Sequence, residues 1–208
     1  MSSAHSEPTT VSFFFDYICP FCYVGSHRLQ RLGSDWPLAV EWRFLEIHPD
    51  NPAGGRPLEE LGYSAEQWQR MNQQLDTLLA EEGLPSAPRS FTTNSRRALL
   101  MAQAVLEQRP TQFLALHNAL FHAYFVEQRN IGDPEVLMSI AREHGVEDLA
   151  EQAWSGPEYL QKLLRHVEGA QALQLSGVPT LVVAGRSFPG VVSVDTLAAA
   201  LQREHGGG

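Results

Sequence analysis

No third cysteine occurs in this 208-residue chain; Cys19 and Cys22 are the only two. That excludes a disulfide framework and any relay of electrons through a second internal pair. A structural zinc site is disfavoured too, because it needs two ligands beyond a cysteine pair. His117 and His122 do not fill that gap: five apart on a helical pattern, they do not share a face. We expect His117 to be partly exposed and His122 to be an ordinary helix residue. Lysine is nearly missing, since all of the 15 basic residues except Lys162 are arginine, a bias we read as compositional. With 24 acidic residues the net charge is −9, which argues against nucleic acid or an anionic membrane as partner. No stretch reaches the roughly 18 apolar residues of a membrane helix. The first residues carry neither a basic nor an apolar leader segment, so the expected location is cytoplasmic.

What the chain does have is Cys19-Pro20-Phe21-Cys22, placed where the apolar run Val11-Ser12-Phe13-Phe14-Phe15 gives way to a helical pattern from about Phe21 to Leu32. A C-x-x-C pair at a strand-to-helix junction is the mark of a thioredoxin-like redox site. In a reducing compartment such a pair reads as catalytic, redox-sensing or metal-binding rather than structural. Gly33 is the expected stop of the helix, and Val40-Glu41-Trp42-Arg43-Phe44 alternates as a half-buried strand does. This gives β-α-β with a crossover that suits a parallel pair.

Strand signals then stop for over a hundred residues. Helical patterns cover about 64–82, 95–108, 111–127, 134–144, 147–154 and 157–175, with a capping box at Ser64 to Gln67 and Asp133-Pro134 as a cap before proline. Strands return at 179–183 and 186–188, and a last helix runs over about 194–203. The expected fold class is therefore α/β, thioredoxin-like, with an inserted all-helical subdomain. The expected division is a disordered tail at 1–10, a discontinuous domain at 11–63 plus 157–204, the helical insertion at 64–156, and a tail at 205–208.

The spacing carries chemistry. With Cys19 as N-cap, its sulfur would face the free N–H groups of Phe21 and Cys22, and these donors with the helix dipole favour a thiolate. Pro20 suits the first helical position, and Phe21 adds apolar surface beside the nucleophile. Cys22, one turn in, would be the buried resolving thiol. The second element is Gly177-Val178-Pro179-Thr180. A proline heading a central strand fits either a trans bond at a loop-strand boundary or a cis bond. The upstream C-x-x-C and this topology favour cis, which would expose the Val178 backbone to an extended substrate. Asp16 and Glu46 are candidates for a proton relay to the resolving thiol.

The run from Phe13 to Val24, the segment from Ala119 to Leu137 and the loop at 177–180 together resemble DsbA-like thioredoxin-fold oxidoreductases, closest to their FrnE-like cytosolic branch. The resemblance spans about 11–201. It implies Cys19 as nucleophile, Cys22 as resolving cysteine, a cis-proline at Pro179 and a substrate-binding role for Asn94. Related glutathione-dependent enzymes, kappa-class glutathione transferases and 2-hydroxychromene-2-carboxylate isomerases, typically have serine at the position of Cys19. The leading expectation is dithiol-disulfide exchange on a thiol- or disulfide-containing protein or small molecule. No tightly bound cofactor is expected beyond the redox-active pair, with glutathione as a possible co-substrate. The competing expectations are a glutathione-dependent isomerase or transferase for a small aromatic substrate, and a non-catalytic redox sensor or chaperone.

Overall fold

Val11 and three successive phenylalanines give β1 (Thr9–Phe15) apolar side chains on both faces, so the strand belongs in the middle of a sheet. Val11, Phe13 and Phe15 are fully buried and Phe14 nearly so. The computed structural model describes residues 8–205; most of the expected tails, at 1–7 and 206–208, lies outside the described residues. The strand begins within the segment expected as a tail, because the Thr9 N–H donates to the Pro37 carbonyl at 2.9 Å.

Helix α1 (Pro20–Asp35) runs past Gly33. Pro37 ends it instead, holding Trp36 extended at φ −126°, ψ 136°. Strand β2 (Leu38–Phe44) lies parallel to β1, with Phe13 opposite Trp42 and Phe15 opposite Phe44. Next come β3 (Arg56–Pro57), α2 (Ala65–Glu82) and β4 (Phe91–Thr92). The antiparallel β3–β4 pair was not expected, since two residues, one of them proline, carry no periodicity. Helices α3 (Arg96–Gln108), α4 (Pro110–Phe125), α5 (Pro134–Glu143), α6 (Glu147–Ser155) and α7 (Glu158–Ala172) follow, then β5 (Thr180–Val183), β6 (Arg186–Pro189) and α8 (Val194–His205). The main sheet has the order β2-β1-β5-β6, with β5 antiparallel to β1 and β6 antiparallel to β5. The architecture is thus α/β, a mixed sheet interrupted between β2 and β5 by a helical insertion. Among the described residues no helix is long and apolar enough to cross a membrane.

Helix α4 joins the insertion to the sheet. It lays Phe113, His117 and Phe121, each four residues apart, against Phe15, Tyr17 and Trp42. His117 is therefore fully buried, not partly exposed as expected. Two hydroxyls make that burial tolerable: its Nδ1 bonds the Tyr17 hydroxyl at 2.9 Å and its Nε2 the Ser26 hydroxyl at 2.6 Å. Burial pushes its pKa down to about 3, so the ring is neutral. His122, on the other face, is exposed beside Glu127. At the far end of the insertion Glu82 closes α2 onto α1, its carboxylate accepting from Arg28 Nε at 2.6 Å and pairing with Arg31 at 2.9 Å.

The loop after β2 is held by close backbone approach. Asn51 donates to Thr92 Oγ1 and to the Thr93 carbonyl, at 3.0 and 2.9 Å. Gly132 presses on the same cluster: a Cβ there would stand 2.1 Å from Thr93 Oγ1 and 2.6 Å from the Ala53 carbonyl oxygen. Gly132→Ala is expected to destabilise the protein by about 1–3 kcal/mol through overpacking against backbone that cannot yield, measured as a lower midpoint of urea unfolding at unchanged slope.

Candidate active site

Cys19 is the N-cap of α1, at φ −88° and ψ 114°, and its carbonyl accepts the Cys22 and Tyr23 N–H groups at 3.0 and 3.2 Å. The sulfur was expected over the Phe21 and Cys22 N–H groups; in the dithiol form it makes no capping bond. A protonated thiol is a weak acceptor with a proton to place, and it donates instead to the Val178 carbonyl at 3.7 Å. Cys19 and Cys22 lie 3.2 Å apart, both as free thiols. Cys19 retains 5% exposure and Cys22 none, so only the first can meet a substrate. Burial pushes the Cys22 thiol well above its ordinary pKa, and the adjacent Cys19 adds to the rise.

The second element comes from residues 159 apart in sequence. The Val178–Pro179 peptide is cis. Pro179 is buried, and the Thr180 hydroxyl closes the loop by donating to the Gly177 carbonyl at 2.7 Å. Gly25 packs beside it: a Cβ there would sit at ordinary contact distance, 3.4 Å from the Phe13 ring and 3.5 Å from Pro179. Pro20 occupies the first turn of α1, and half-buried Phe21 packs on Val24, Leu75 and Leu79. Those leucines also line an open groove of about 690 Å³ with Trp68 and Arg89. Arg89 is held by Asn72 at 2.8 Å, stands over the Trp68 ring and is within electrostatic reach of Cys19.

Beneath the pair lies Asp16, with no exposed surface. Its Oδ1 accepts the Ile18 N–H at 3.3 Å and its Oδ2 the Ile47 N–H at 2.9 Å. Burial outweighs these donors and raises its pKa to about 7, with the nearby Glu46 charge adding to the rise. Glu46 is differently placed. Its carboxylate accepts from Asn94 Nδ2 at 2.8 Å and from Arg96 Nε at 2.9 Å, which keeps it paired. Asn94 is engaged within the chain as well, since it also donates to the Pro49 carbonyl and accepts the Arg96 N–H. The structure thus brings Cys19, Cys22, Val178, Pro179 and Asp16 together, with Glu46 and Asn94 forming one ion-paired cluster beside them.

Two residues at this centre escaped the sequence reading. Tyr17 and Ser95 are fully buried near Asp16, but a tyrosine in an aromatic run and a serine before a helix both have commoner explanations. Among the described residues no group of three or more His, Cys, Asp or Glu side chains is arranged to hold a metal ion.

A family model described as a DSBA-like thioredoxin domain matches residues 10–202. A curated relative, the uncharacterized protein YwbO of Bacillus subtilis, is 23% identical over 198 residues, covering 93% of this chain and 96% of that one. Among solved structures, one described as a probable DsbA oxidoreductase from Streptomyces coelicolor superposes with a TM-score of 0.82 at 23% identity, covering 95% of this chain and 90% of that one. A 2-hydroxychromene-2-carboxylate isomerase superposes at 0.76 with 20% identity, covering 93% and 95%.

The Asp16 carboxyl binds its proton up to about pH 7 when folded, against an ordinary value of 3.8. Between these values the folded state holds more protons than the unfolded one, so this group lowers stability as pH rises. His117 acts in the opposite sense: neutral when folded, it lowers stability as pH falls below about 6.5. The comparison with Asp16→Asn isolates the carboxyl. From about pH 4 to pH 7 the wild-type stability should fall relative to the variant by on the order of 4 kcal/mol, read from urea unfolding at each pH.

Proposed function

The chain belongs to the DSBA-like thioredoxin domain family, and we propose that it is a thiol-disulfide oxidoreductase that works through Cys19 and Cys22. The observation that carries this reading is the reachable Cys19 thiol 3.2 Å from a fully buried partner thiol. Cys19, as thiolate, attacks a substrate disulfide; one substrate sulfur leaves with the electron pair and the other stays bound to Cys19. Cys22 loses its proton to Asp16 and attacks Cys19, forming the internal disulfide and releasing the second substrate sulfur. The reverse sequence oxidises a substrate dithiol. Asp16 is suited to take that proton because it titrates at about pH 7, where it exchanges protons with neither state strongly favoured.

The Val178 carbonyl that receives the Cys19 S–H also marks where an extended substrate backbone would pair. We assign substrate contact to Val178 and Pro179, and give Asn94 the task of holding Glu46 at the edge of the site. Substrates are thiol- or disulfide-containing proteins or small molecules, with glutathione as the small thiol that can restore the pair, and the proposed compartment is the cytoplasm.

Cys19→Ser should lower insulin reduction to the uncatalysed rate, while Cys22→Ser should accumulate mixed disulfides detectable by mass spectrometry. Full activity in Cys19→Ser would sink the reading. Glutathione-dependent turnover of an aromatic substrate that survives loss of Cys22 would favour an isomerase instead. Resolution of a mixed disulfide in the wild type should speed up with pH through about 7, as Asp16 ionises, and Asp16→Asn should remove that rise in stopped-flow measurements.

A further inference from the structure

Ser95 stands just before α3, where a serine ordinarily caps the helix with its hydroxyl. Here it does not cap. Its backbone is near-helical, at φ −94° and ψ −5°, its side chain makes no capping bond, and the Arg96 N–H is taken by Asn94 Oδ1 at 3.0 Å. The hydroxyl is thereby released in a residue with no exposed surface. It lies within reach of the Asp16 carboxyl, yet it has no hydrogen-bond partner of ordinary geometry. A buried hydroxyl left this way is destabilising, and such exceptions call for an explanation.

The surroundings of Asp16 supply one. The ionisable groups facing it are Glu46 from the loop after β2, Tyr17 from the segment before α1, Cys22 from α1 and Tyr124 from α4. Each of these is an acid, and the nearby cation Arg96 is committed to Glu46. Both carboxyl oxygens already accept a backbone N–H. When Asp16 ionises, the Ser95 hydroxyl is a donor still without a partner.

We propose that Ser95 is a positioning residue for the Asp16 proton relay: its hydroxyl turns to donate to the carboxylate when Asp16 ionises and is released when Asp16 takes up a proton. This rests on the role given to Asp16 above. In the resolving step the proton of the Cys22 thiol passes to the Asp16 carboxylate. The Cys22 thiolate attacks the Cys19 sulfur, the Cys19–Cys22 bond forms, and the bond from Cys19 to the substrate breaks with its electron pair on the substrate sulfur. The proton held by Asp16 then neutralises that departing thiolate. A hydroxyl bonds a carboxylate about twice as strongly as a neutral carboxyl, so Ser95 shifts Asp16 toward its ionised, proton-accepting form.

The test is Ser95→Ala, with Ser95→Thr as the variant that keeps the hydroxyl. Two readouts are taken: the Asp16 titration by carboxyl carbon-13 NMR of the reduced protein, and the pH profile of mixed-disulfide resolution. In Ser95→Ala Asp16 should bind its proton about tenfold more tightly, moving both midpoints up by about one pH unit. Resolution should then slow by up to about tenfold below pH 7 and reach the wild-type plateau at high pH, with Ser95→Thr behaving as wild type. Unchanged midpoints in Ser95→Ala, while Asp16→Asn abolishes the pH dependence, would overturn the role of Ser95 and leave that of Asp16 standing. An unchanged profile in Asp16→Asn would overturn both.

Discussion

Phe15 at the end of β1 is fully buried, and so is the chain that leaves it: Asp16 and Tyr17 have no exposed surface, Ile18 has 6% and Cys19 has 5%. A strand covered on both faces delivers its continuation into the interior rather than to the surface. The redox pair is therefore built where ionisation is costly, and every polar group close to it needs a partner. The raised pKa of Asp16, the raised pKa of Cys22 and the neutral His117 share that one origin in desolvation.

The helical insertion supplies the partners. Helix α4 brings His117 to Tyr17 and Ser26, one turn beyond Cys22 on α1. The start of α3 brings Asn94, Ser95 and Arg96 to the acidic side of the site. The link extends outward as Gln30 Nε2 donates to Ser26 and to Asn118 on α4, at 3.1 and 2.9 Å. The insertion thus completes the interior polar network of the sheet domain and holds α1 on two sides, through α4 and through the Glu82 ion pairs from α2.

Much of this was legible in the residue pattern. Pro20 and Cys22 announced the first turn of α1, the phenylalanine run announced a central strand, and the helices of the insertion fell within a few residues of their expected ends. Local signals misled where a longer-range contact overrode them. Gly33 did not stop α1; the helix runs on to Asp35, and Pro37 ends it. The β3–β4 pair was too short to leave a period at all.

By itself the sequence determined that all thiol chemistry must pass through Cys19 and Cys22, that Cys19 heads a helix, and that an α/β frame surrounds a helical insertion, because these depend on residue identity and short-range periodicity. Only the tertiary structure decided that Val178 receives the Cys19 thiol, that Glu46 is neutralised by Arg96 while Asp16 is left to titrate near pH 7, and that His117 lies in the core. Proton affinities and partners of buried groups depend on which distant segments exclude water from them. That is a property of packing, which no local pattern encodes.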